Sequence, residues 1–144
     1  MSILSGQGKL LVVEWCFNLR RTSMSWNDKS NYEINKAVAH SYIRDEYIVC
    51  NNDSQETVYL CEQDGLLSMI PVGYYDPCSN VQDAWPIMKQ CNIDIEWPDE
   101  GNCCGTVTRY MQGTTDVQQD FTDKEDVLRC AMIVYLESEG VACE

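Results

Sequence analysis

The sequence predicts an α+β fold, a small antiparallel sheet packed with about three helices in a single domain. Three observations carry this expectation. Apolar residues recur at helical spacing behind a capping signal at both ends of the chain. Short runs rich in β-branched and aromatic residues are separated by turn clusters. The order of elements is helix, hairpin, helix, strand, strand, helix, which does not alternate in βαβ units. The 144 residues suit one domain, and 44% hydrophobic residues suffice for a core.

The first helix is expected from Lys29 to Ile43. Ser30 with Glu33 has capping-box spacing, and Ile34, Ala37, Val38 and Tyr42 make an apolar stripe. Tyr47, Ile48 and Val49 read as a strand, Asn51 to Ser54 as a turn, and Thr57 to Cys61 as the returning strand of a hairpin. Met69 to Tyr74 is either a further strand or an irregular loop, because Pro71 and Gly73 weaken it.

Asp76-Pro77-Cys78-Ser79-Asn80 is a turn that leads into a helix from Val81 to Cys91, with Pro86 inside it. Ile93, Ile95 and Trp97 alternate with Asp94 and Glu96 as in a half-buried strand. Pro98 to Gly105 is a loop, Thr106 to Met111 a strand, and Gly113 to Asp120 a polar linker. In the last helix Thr122 and Glu125 form a capping box. Asp123 and Asp126 suit its positive N-terminus, and Leu128, Ala131, Met132, Tyr135 and Leu136 form one apolar face. Trp85 and Trp97 are assigned to core packing.

Residues 24–144 are expected to form the domain, and 1–23 an extension. An alternative is that Leu10 to Phe17 adds a strand, since Val12, Val13, Trp15 and Phe17 suit a sheet. No secretory signal or membrane span is read, and the nine cysteines, an odd number, point to a reducing, cytoplasmic setting with free thiols.

Charge is the outlier, with ten basic residues against 23 acidic ones and a formal net charge of −13. Residues 1–30 carry net +2, residues 31–93 net −6, and residues 94–144 net −9. Solubility is the simplest use of such acidity. It opposes direct binding to nucleic acid or to an anionic membrane.

Catalytic motifs are scarce. His40 is the only histidine, so any nucleophile–histidine pair would need it. Cys103-Cys104 is not a metal knuckle, although Cys78, Cys91, Cys103 and Cys104 could converge. The carboxylates Asp94 and Glu96 share a strand face and are more simply solvated than catalytic. No P-loop, calcium loop or GxGxxG is present. The expectation is therefore a non-enzymatic protein without cofactor or metal. Its partner-binding residues are expected to be Asp94, Glu96, Asp99, Glu100, Asp116, Asp120, Asp123 and Asp126, with Trp26 as an exposed aromatic contact.

Three segments carry a family resemblance. They are Asn31 to Ala39, the run Tyr75-Asp76-Pro77-Cys78-Ser79-Asn80 leading to Asp83-Ala84-Trp85-Pro86-Ile87-Met88, and Arg129 to Leu136. Together they resemble the NinX-like phage proteins, a family of unknown function, over roughly residues 28–139. The chain departs from that pattern at Trp85, where a small residue is usual, and in residues 1–23. The resemblance supplies no catalytic residues. It implies a phage accessory protein in a bacterial cytoplasm that binds and inhibits a host nucleic-acid-handling or defence protein, of CRISPR, restriction or nuclease type. An acidic face that imitates DNA would serve that role. The alternative is a structural or regulatory module that self-associates.

Overall fold

A computed structural model describes residues 24–65, 68–98 and 104–144. The expected strand at Leu10–Phe17, together with Asp99, Glu100 and Cys103, lies outside the described residues. One compact unit spans Lys29–Ala142, while Met24–Asp28 and Cys143–Glu144 group apart from it.

The fold is α+β, as the sequence predicts. Among the described residues there are three α-helices and six strands. The strands divide into two three-stranded antiparallel sheets rather than one, each with its strands in sequence order.

Helix α1 spans Asn31–Tyr42 and opens with the expected capping box. The Ser30 hydroxyl accepts from the Glu33 N–H at 3.2 Å, and the Glu33 carboxylate accepts from the Ser30 N–H at 3.0 Å. Ile34, Val38 and Ala39 are fully buried. The first sheet follows, with β1 (Ile48–Asn52), β2 (Thr57–Gln63) and β3 (Met69–Tyr74). Asn52 Oδ1 closes the hairpin by accepting from the N–H groups of Ser54 and Gln55 at 3.1 and 3.2 Å. Glu56 completes the turn with φ +52°, a left-handed conformation in which few side chains sit comfortably.

The segment left open between strand and loop is strand β3. Among the described residues it is an edge strand, which tolerates Pro71 because no ladder among them continues beyond it. The register shifts opposite Leu60 and Cys61, leaving Val72 unpaired between Pro71 and Gly73 as a bulge.

The Asp76–Asn80 turn is tied to α1 by buried Asn35. Its amide donates to Asp76 Oδ1 at 2.7 Å, and its oxygen accepts from the Cys78 N–H at 3.0 Å. Helix α2 spans Val81–Gln90, capped by Asn80 Oδ1, which accepts from the Gln82 N–H at 3.0 Å. Pro86 lies inside α2 on its exposed side, so the Gln82 carbonyl it leaves without a helical donor can meet water.

The second sheet comprises β4 (Ile93–Glu96), β5 (Gly105–Arg109) and β6 (Val117–Phe121). The expected polar linker at Gly113–Asp120 is corrected by β6. Gln118 and Asp120 face outward while Gln119 shares the inner face with Val117 and Phe121, and ladder pairing with β5 supplies the order that composition does not.

Helix α3 (Val127–Ser138) is the hub of the core, packing on both other helices and on all three strands of the second sheet. The expectation of a single apolar face understates it. All seven residues Cys130–Leu136 are buried, as in a helix enclosed on every side. Its predicted cap is also corrected. The Asp123 carboxylate, not Thr122, accepts from the Glu125 N–H at 3.0 Å, and a 3₁₀ turn, Lys124–Asp126, precedes the helix.

Three tryptophan assignments change. Trp85 and Trp97, expected in the core, are 59% and 49% exposed. Trp85 sits on the solvent side of amphipathic α2. Trp97 follows the last residue of β4 and packs edge-on to Phe121 with ring centroids 5.0 Å apart. Trp26, expected as an exposed contact, is 7% exposed and so is not free to anchor an outside partner.

Candidate functional site

The acidic candidates are placed by the register of the second sheet. β4 alternates as expected, with Ile93 buried and Asp94 and Glu96 exposed. In the ladder Asp94 pairs with Thr108 and Glu96 with Thr106. Thr106 pairs in turn with Asp120, and Thr108 with Gln118. Directly paired residues share a sheet face. Asp94, Glu96 and Asp120 therefore stand on the face opposite Ile93, Val107 and Phe121, which are buried.

Two of these carboxylates are held by hydroxyls. The Thr106 hydroxyl donates to Asp120 Oδ1 at 2.8 Å, and the Tyr110 hydroxyl donates to Glu96 Oε1 at 2.7 Å. The bond to Glu96, and then the charge of Glu96, Asp94 and Asp116, raise the Tyr110 hydroxyl above its ordinary pKa. Tyr110 thus marks a point where three carboxylates are felt together. Sequence reasoning passed over both hydroxyl residues, because a Tyr or Thr in a strand reads first as β-propensity. Their even spacing with Thr108, which puts them on the Asp94 face, was the available signal.

The remaining candidates do local work. Asp116 Oδ1 accepts from the Met111 N–H at 2.8 Å and fastens the β5–β6 turn. Asp123 caps the 3₁₀ turn, and Asp126 stands at the start of α3 without a side-chain capping bond. The structure thus gathers Asp94, Glu96 and Asp120 on one face with Asp116 in electrostatic reach, and assigns Asp123 and Asp126 to the approach to α3.

None of the three ion pairs among the described residues uses a carboxylate of this face. Arg109, on the opposite face of β5, is turned to α3, where it meets Glu139 at 2.8 Å and the Ser138 hydroxyl at 2.6 Å. The face therefore keeps its negative potential.

Other chemistry finds little support in the geometry. His40 is exposed on α1. Cys61, Cys78, Cys91 and Cys130 are buried, and Cys78 is pushed up to about 12, first by burial and then by Asp76. A thiol so raised is a poor nucleophile near neutral pH. Among the described residues no group of three or more histidines, cysteines or carboxylates could hold a metal ion. No helix among them is long and apolar enough to cross a membrane.

No protein-family model matches the chain, and a search of curated proteins returns no significant match.

Proposed function

We propose that this chain is a non-enzymatic binding protein whose acidic sheet face occupies a basic, phosphate-binding surface of a host nucleic-acid-handling or defence protein. The observation that carries the reading is the grouping of Asp94, Glu96 and Asp120 on one exposed face, without a counter-charge among the ion pairs. Along β4 the backbone positions of Asp94 and Glu96 are about 6.6–6.8 Å apart, and the strand carrying Asp120 lies two strand spacings away, roughly 9.5 Å. Tyr110 and Thr106 fix two of them, which lowers the ordering cost of binding. The resemblance to NinX-like phage proteins supplies the setting, a phage accessory protein in a bacterial cytoplasm.

Competition with duplex DNA tests the reading. Purified restriction, CRISPR and other nuclease complexes are assayed for DNA cleavage with the protein present. Inhibition that weakens as salt rises, and that is lost in the triple variant Asp94→Lys, Glu96→Lys, Asp120→Lys, is expected. Inhibition unchanged by the triple variant would sink the proposal.

A second reading, self-association, is favoured by one feature. Edge strand β3 carries no charge, and Met69, Ile70, Val72 and Tyr74 are 56, 51, 53 and 76% exposed. Such an edge invites pairing with another strand. Sedimentation at several concentrations distinguishes the two, since a monomer at all of them excludes this one.

A further inference from the structure

A different part of the surface has the composition of a receptor for a cation. A cleft of about 530 Å³ opens between the start of α1, the β1–β2 turn and the Asp76–Asn80 turn. That volume is within the usual range for small-ligand sites. Tyr32, Tyr74 and Tyr75 line it together with Glu56 and Asp76, and no lysine, arginine or histidine among the described residues does. Three tyrosines with two carboxylates make an environment that favours a delocalised cation.

The cleft is built rather than incidental. Tyr75 is 5% exposed and so holds a fixed place in the wall of the cleft. Asp76 is held from two sides, accepting from the buried Asn35 amide and donating its own N–H to Asp83 Oδ2 at 2.9 Å. Its second carboxylate oxygen makes no hydrogen bond to the described residues, which leaves an acceptor for a ligand. Glu56 is kept at φ +52° on the rim, a position where glycine or asparagine would be less strained.

The nearest wall already engages an ammonium group. Lys36 Nζ lies 5.8 Å from the centre of the Tyr32 ring and pairs with Asp53 at 3.6 Å. The Tyr32 hydroxyl also donates to Asp53. Arg129, below the start of α1, is committed to Asn31 and to the Lys29 carbonyl. The three ion pairs among the described residues use Glu33, Asp53 and Glu139.

We propose that this cleft takes the guanidinium side chain of an arginine carried by a basic partner. Tyr74 stacks on the plane, Asp76 accepts from its N–H fork, and Glu56 supplies charge at the rim. Charge complementarity selects the occupant, because the molecule carries net −13 and the described residues lining the cleft include two carboxylates and no base. The site stands apart from the acidic sheet face and does not depend on that face having a partner.

The test uses N-acetyl-L-arginine methylamide as the probe and its neutral citrulline counterpart as the control, followed by amide chemical shifts of the full chain. Saturable binding is expected in the millimolar range, centred on Tyr32, Glu56 and Asp76, with no saturable response to citrulline. The double variant Glu56→Gln, Tyr74→Ala changes only exposed side chains, so its fold is expected to stay intact. It should weaken binding about tenfold. The sheet variant Asp94→Asn, Glu96→Gln, Asp120→Asn should leave it unchanged. Equal response to citrulline, or binding lost in the sheet variant and retained in the cleft variant, overturns the proposal.

Discussion

The two sheets share one topology and meet opposite fates. Each is an antiparallel meander of three strands in sequence order. The second sheet lies against α3 and keeps a dry inner face and a charged outer one. The first sheet ends in β3, where all six residues are exposed and none is charged. Topology alone therefore does not decide how a sheet is used. What backs it does, because burying one face fixes the register and an uncovered edge does not.

The largest expected effect lies behind the second sheet. Leu136→Ala removes a fully buried side chain from α3 and should cost about 2–5 kcal/mol, read as a lower urea midpoint. Val72→Ala on the edge of the first sheet should stay within about 0.5 kcal/mol. Similar losses at both sites would remove the contrast between a backed sheet and an uncovered edge strand.

High pH should weaken the core. Cys78 holds its proton to about 12, whereas the unfolded thiol releases it near 9. With the folded pKa raised, the stability is fully present below pH 9 and is lost as pH rises toward 12. Between those limits one such thiol costs about 1.4 kcal/mol per pH unit. Burial raises Cys130 in the same direction. Urea midpoints at pH 7, 9 and 10.5 should fall only above pH 9, and Cys78→Ala should flatten the slope.

A pair of glycines sharpens the comparison next. A Cβ on Gly105, in β5, would come within 2.3 Å of the Glu96 carbonyl oxygen and 2.7 Å of the Phe121 ring. Gly105→Ala should cost about 1–3 kcal/mol through overpacking. A Cβ on Gly73, in β3, would meet nothing within 4 Å, so Gly73→Ala should be neutral or mildly stabilising by thermal melting.

The smallest effect concerns the entry to α3. Asp123→Ala should cost about 1 kcal/mol because it removes the observed cap, while Thr122→Ala should fall within about 0.5 kcal/mol. The reverse order would restore Thr122 as the cap.

Much of the fold was legible where a local signal and the tertiary environment agree. The Ser30–Glu33 box and the turn after β1 depend on groups within three residues of one another, and each appears near its expected place. The alternation of β4 was legible because one side of it is buried. β6 was not, since Gln118, Gln119 and Asp120 have no strand propensity and pairing with β5 imposes the conformation. The tryptophans misled for a related reason. Large apolar side chains default to the interior, yet Trp85 stands on the outer side of α2.

The sequence by itself determined how acidic the protein is, where that charge concentrates, the α+β class and the start of α1. Those depend on composition and on contacts a few residues long. Only the tertiary structure decided that Asp120 joins Asp94 and Glu96 on one face. Asp94, Glu96 and Asp120 lie 26 positions apart end to end in the sequence. They come together because antiparallel pairing with β5 sets Glu96 and Asp120 opposite the same residue, Thr106. That register is fixed by burying Ile93, Val107 and Phe121 against the core, a cooperative effect that no local spacing encodes.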